Sequence, residues 1–169
     1  SDFTIDGMTI RNADDTGIFL MGVNRFRVTG GSYLNNGEYG IFPRCSRDGR
    51  VDHNSGGGGD DATIYVGVDK FIEVDGNVLT NGELGIELED TDDTTVHDNV
   101  LRNNTAAIFV IVLPGLPTTS TNRALIEGNV VTGNNRPNPF PPVCNAPGNP
   151  PGCTPDFTDA PKCVNGASD

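Results

Sequence analysis

An apolar residue returns along the chain at Ile5, Val28, Val51, Val74, Val96 and Ile126, in steps of 23, 23, 23, 22 and 30. A second apolar series, Ile18, Ile41, Ile64, Ile86 and Ile108, keeps steps of 23, 23, 22 and 22. Two independent series that hold one period mark a stacked repeat. Ile18-Phe-Leu, Ile64-Tyr-Val and Ile86-Glu-Leu alternate as short strands do, with every second side chain on the same face. Asn12, Asn35, Asn81 and Asn103, with Gly58 and Gly133, stand seven residues past the first anchor and mark corners, because Asn and Gly tolerate left-handed backbone. Asn77, Asn99 and Asn129 recur three past it. No segment has a helical apolar period. The pattern predicts an all-β parallel solenoid of about six coils of 22–23 residues over residues 1–136. Its coils lie ~4.8 Å apart, and the stacked Asn columns are expected to hydrogen-bond from coil to coil.

Two departures from the period stand out. The step of 30 holds an extra loop over residues 113–122, and the third coil carries Gly56–Gly59 where its neighbours place Tyr33, Leu79 or Leu101. That coil reads as underfilled. Beyond Arg136 the repeat ends, for residues 137–169 hold nine of the twelve prolines and three of the four cysteines. Proline at that density cannot continue a strand ladder, so 137–169 is expected to be an irregular tail that packs on or caps the helix. Cys45, Cys144, Cys153 and Cys163 allow three pairings. Joining Cys45 to Cys144 and Cys153 to Cys163 would pin the tail against a coil. No capping segment precedes the first coil, which predicts a longer protein or a docked partner there.

Charge narrows the function. Asp and Glu outnumber Lys and Arg by 23 to 11, a net charge of −12. That excludes the basic patches nucleic acid requires, and no apolar run is long enough to span a membrane. Within this acidity, Asp15, Glu38, Asp61 and Glu83 each stand three before a second anchor, so they stack on one corner. Neighbouring carboxylates at that spacing repel by ~1 kcal/mol in water; solvent or a hard cation such as Ca²⁺ would relieve them. No other cofactor is required by any motif.

A second column, one past the anchor, is Phe19, Phe42, Tyr65, Glu87 and Phe109, and strand alternation points it outward. An apolar outer strip calls for a cover: the tail, the 113–122 loop, a protein partner or a sugar ring. The same strip admits an enzyme reading, as a glycoside hydrolase with Glu87 and Glu89 as its two carboxyls, or a lyase using Tyr65 and Arg44. His53 and His97 fall at unrelated repeat positions and form no zinc-type cluster. The leading expectation is a non-catalytic binding or structural module that engages a protein or polysaccharide through this face; the alternative is a polysaccharide lyase or hydrolase.

The repeat of anchor, Asn pair and Gly-Ile resembles the right-handed parallel β-helix of pectin-lyase-like proteins. Tyr39-Gly-Ile-Phe-Pro43, Leu84-Gly-Ile-Glu-Leu88, Val112-Leu-Pro-Gly-Leu-Pro117 and Asn134-Asn-Arg-Pro-Asn138 are similar to a family of exported β-helix proteins of uncharacterised function. That resemblance implies a periplasmic or extracellular location and an exported c-type-cytochrome-like protein as partner. It carries over no catalytic residues.

Overall fold

A computed structural model describes residues 2–113, 115–116 and 120–136. The expected tail, 137–169, lies outside the described residues. Every described element is a strand, and the strands form three parallel sheets. The first sheet contains β1 (Phe3–Asp6), β4 (Asn24–Thr29), β7 (Arg47–Asp52), β10 (Lys70–Asp75), β13 (Thr95–His97) and β16 (Leu125–Glu127). The second contains β2 (Thr9–Arg11), β5 (Ser32–Leu34), β8 (Ser55–Gly57), β11 (Val78–Thr80), β14 (Val100–Arg102) and β17 (Val130–Thr132). The third contains β3 (Ile18–Met21), β6 (Ile41–Arg44), β9 (Ala62–Gly67), β12 (Leu84–Glu89) and β15 (Ala106–Ile111). The chain visits the sheets in turn, giving five complete coils and the first two strands of a sixth. No helix among the described residues is long and apolar enough to cross a membrane.

Both apolar series fall in register. Ile5, Val28, Val51, Val74, Val96 and Ile126 face one another along the first sheet. Ile18, Ile41, Ile64, Ile86 and Ile108 do so along the third. With Leu79 and Leu101 of the second sheet they fill a narrow core, except that Ile126 in the last described coil stands exposed. Like side chains stack directly on one another, so a modest apolar content suffices to keep this core dry.

The corners divide the work of the asparagines. Asn12, Asn35, Gly58, Asn81, Asn103 and Gly133 all have positive φ, between 53° and 79°, and turn the chain out of the second sheet. The amide ladders run beside such corners rather than through them. After the first sheet, Asn54 Nδ2 donates to Asn77 Oδ1 (3.1 Å), Asn77 to Asn99 (2.9 Å) and Asn99 to Asn129 (2.9 Å). Each of these side chains also bonds a backbone carbonyl of the preceding coil, Asn77 reaching Val51 O at 2.9 Å. A second ladder, one residue past the positive-φ column, includes Asn104 donating to Asn134 at 2.9 Å. The amides are thereby paired inside the stack, where an unpaired one would cost ~1–3 kcal/mol.

The glycine run fills its coil rather than starving it. Gly56 faces Tyr33 and Leu79 across the ladders, and a Cβ there would stand 2.6 Å from Thr63 Cγ2. Thr63 occupies a column otherwise made of Gly17, Gly40, Gly85 and Ala107, so its methyl takes the space Gly56 leaves. A Cβ on Gly57, whose φ is +148°, would fall 1.6 Å from Thr80 O.

Candidate functional site

The outer face of the third sheet carries the chemistry. Phe19 pairs with Phe42, and Tyr65 with Glu87 and then Phe109, in the predicted column. Tyr39 joins them although alternation from Ile41 would turn it inward. Gly40 faces the core beside Tyr33 and Thr63, and so does Ile41, which breaks the alternation and releases Tyr39 outward against Phe42 and Tyr65. Ring centroids lie 4.9 Å apart for Phe19–Phe42, 4.7 Å for Tyr39–Phe42, 5.0 Å for Tyr39–Tyr65 and 4.4 Å for Phe42–Tyr65. Their planes are inclined at 46–76°. Phe42 and Tyr65 pack edge to face, and the other three pairs are tilted. They do not lie flat side by side as a platform for sugar rings.

Next to the rings, the residues singled out for an enzyme come together. Arg44 Nη1 donates to Tyr65 OH at 3.2 Å and lies 3.5 Å from Glu89 Oε1, with its guanidinium 5.9 Å from the Phe42 ring centre. Tyr65 in turn bonds Glu89, and burial first, then the Glu89 charge, pushes the Tyr65 hydroxyl far above its ordinary value. Glu87 holds its proton and hydrogen-bonds Asp61, which also accepts from Tyr39. Burial, then the Asp61 and Glu89 charges, raises Glu87; burial likewise raises Asp61.

The middle of this face is dry and its ends are wet. Arg44 is 1 % exposed, Tyr65 4 %, and Glu87 and Glu89 6 % each, against 47 % for Phe19 and 39 % for Phe109. Two carboxyls sharing a proton are fit for acid–base chemistry. Here, though, both carboxyls are engaged within the cluster. Asp61 is the member that sequence reasoning assigned elsewhere, to the acid column.

That column does form on one corner. Glu38 hydrogen-bonds Asp15 through its side chain, and Glu38 and Glu83 are both raised, by burial first and then by Asp15 and Asp60 respectively. Two other sets bring possible metal-ligating atoms within 4.8 Å, Asp52–His53–Asp75 and Glu73–Asp75–His97, on the first sheet. Their carboxylates are already committed. Arg27 forks onto Asp52 at 2.8 and 2.6 Å, and Arg50 onto Asp75 at 2.8 and 2.7 Å. A divalent ion there would sit against two guanidinium charges, which disfavours it. His97 bridges Asp98 (2.8 Å) and Glu73 (3.0 Å), and those two carboxylates raise its pKa.

Cys45 closes the strip at a corner with φ +51°, is buried, and is not a free thiol. Cys144, Cys153 and Cys163 lie outside the described residues. Asp69, which no motif marked, is buried at the same corner of the next coil and accepts from the Ser46 N–H (2.5 Å) and the Gly67 N–H (3.1 Å).

A family model described as a right handed beta helix region matches residues 1–138. No curated protein and no solved structure matches the chain.

Proposed function

The chain belongs to the right-handed β-helix family, and on that premise we propose that it is a non-catalytic, exported binding module whose third-sheet outer face contacts a protein. The observation that supports this is the aromatic row itself. Its rings are inclined to one another at 46–76°, an arrangement suited to interdigitating with a protein surface. A polysaccharide would ask for ring faces presented flat. Phe19 and Met21 are one exposed end of the row and offer the first contact.

The second reading, a polysaccharide lyase or hydrolase, draws on the buried carboxyls of Glu87 and Asp61, which hydrogen-bond each other and are both raised by burial. One experiment separates the two. A photo-crosslinking residue at position 19, introduced in the native source, should capture a polypeptide. Cleavage of a polysaccharide that Glu87→Gln abolishes would replace the binding reading with the enzymatic one. Calcium at Asp15, Glu38, Asp61 and Glu83 rests on their common corner alone; a melting-temperature shift between chelator and millimolar Ca²⁺ tests it.

A further inference from the structure

We infer that Asn81–Gly82 is a site of spontaneous deamidation, and that the ladder amide of Asn104 holds it closed while the chain is folded. Asparagine followed by glycine occurs at 36, 81 and 165, and 165 lies outside the described residues. Asparagine is among the chemically labile side chains. A following glycine has no Cβ to keep its own nitrogen away from that side chain. The Gly82 nitrogen gives up its proton to hydroxide and attacks Asn81 Cγ. The bond from Cγ to Nδ2 breaks, the leaving nitrogen takes a proton from water and departs as ammonia, and a succinimide ring closes. Water then opens the ring at either carbonyl, leaving an aspartyl or isoaspartyl residue at position 81.

The geometry separates the two described pairs. Asn36 is itself a ladder residue, buried, with its Oδ1 accepting from the Ala13 N–H at 3.1 Å. Asn81 is exposed on the positive-φ column, at φ 64°. Its Nδ2 donates locally, to Thr80 Oγ1 at 3.2 Å, and the ladder belongs to the next residue of each coil. That next column reads Ala13, Asn36, Gly59, Gly82, Asn104 and Asn134. Gly82 is thus a missing rung, and the same gap in the ladder that leaves Asn104 without an amide neighbour on this side puts a glycine after Asn81.

What holds the pair back is the partner of the attacking nitrogen. The Gly82 N–H donates to Asn104 Oδ1 at 3.0 Å, and an amide proton held in a hydrogen bond is not open to base until the bond opens. Asn104 is kept in place by its Nδ2, which donates to Leu79 O at 3.2 Å and Asn134 Oδ1 at 2.9 Å. Asn81 is fixed as well: its N–H donates to Arg102 O at 3.2 Å, and its carbonyl accepts from the Arg136 guanidinium. Gly37 is guarded by main chain instead, its N–H donating to Ala13 O at 2.9 Å. The guard at Gly82 is therefore the one that a side-chain substitution removes. Conversion would reach the third sheet, because an isoaspartyl link adds a main-chain carbon to the corner between β11 and β12, and β12 carries Glu87 and Glu89. The inference does not rest on what that face binds.

The test incubates the full chain at mildly alkaline pH, folded and in urea, and follows position 81 by peptide mass and isoaspartyl content. Slow conversion in the folded wild type and fast conversion in urea are expected. Asn104→Ala should speed position 81 in the folded protein by about three- to tenfold, the factor one hydrogen bond of ordinary net strength supplies, with position 36 unchanged. Asn134→Ala takes two bonds from Asn104 but leaves Gly82 its acceptor, and should convert near the wild-type rate. Equal rates in folded and unfolded wild type overturn the inference. So does an unchanged rate in folded Asn104→Ala, or equal acceleration in both variants. If Asn104→Ala does not fold, low urea applied to the wild type decides. The position-81 rate and hydrogen exchange of the Gly82 amide must then rise together, and a rate that ignores that exchange defeats the inference.

Discussion

Asp61 and Glu87, on adjacent coils, share a hydrogen bond in which Glu87 keeps the proton. It is the point where the corner acids and the outward strip of the third sheet meet. Desolvation sets the assignment: two buried carboxyls in contact cannot both ionise, so the more enclosed one stays neutral and donates.

That contact fixes a pH dependence. Unfolded, Glu87 loses its proton near 4.5; folded, near about 9. Its contribution is therefore complete below pH 4.5 and declines as pH rises toward 9. Glu87→Gln keeps a donor for Asp61 and removes the ionisation. The variant should melt close to wild type at pH 4 and above it at pH 8, by roughly 2–4 °C for each kcal/mol gained. Parallel pH profiles for the two proteins would disprove the shared proton.

His97 should titrate with similar sign on the first sheet. Asp98 and Glu73 raise its pKa above 6.5, so its stabilisation is full below 6.5 and disappears as pH passes the raised value. His97→Gln is expected to lower the melting temperature at pH 5.5 and to have little effect at pH 9. Thermal scans at the two pH values decide it.

Asn77 is a rung with bonds on both sides. It donates to Val51 O and Asn99 Oδ1, and accepts from the Asn54 backbone and side chain. Asn77→Ala should cost about 2–4 kcal/mol, because it leaves buried donors without partners. Denaturant titration measures the loss, which a similar change at exposed Asn12 should not reproduce.

Gly57→Ala should be the most damaging small substitution in the glycine run. The added carbon meets the Thr80 backbone oxygen, which has no rotamer by which to move away. Loss of cooperative melting is the expected outcome, and a variant as stable as wild type would show that the third coil has slack.

Much of the fold was legible because each coil repeats one test of facing. Ile64 sits where the 22–23-residue period places it, with Ile41 and Ile86 on either side. The lateral geometry was harder to read. Tyr39 turns outward because Gly40 and Ile41 both face the core, a local break in alternation that no residue type announces. The second amide ladder was displaced by one residue, since a corner Asn and a ladder Asn stand side by side at Asn103 and Asn104. Asp61 and Glu87 belong to different columns, and only the closeness of one corner to the next coil's strand joins them. The residues for an acid–base site were named, but their mutual engagement is a matter of side-chain reach, which spacing does not encode.

The positive-φ corners make chain length a digital quantity. Arg47 and Lys70 stand opposite each other on neighbouring coils, so excising residues 47–69 would join Ser46 to Lys70 at an equivalent point of the circuit. Every corner would keep its conformation and every column its facing. Removing a single residue from β9, in contrast, would turn the strand's inward side chains out. Within the strands, then, the length that can change without altering the cross-section is a whole coil, while a corner such as 113–122 takes up extra residues outside it.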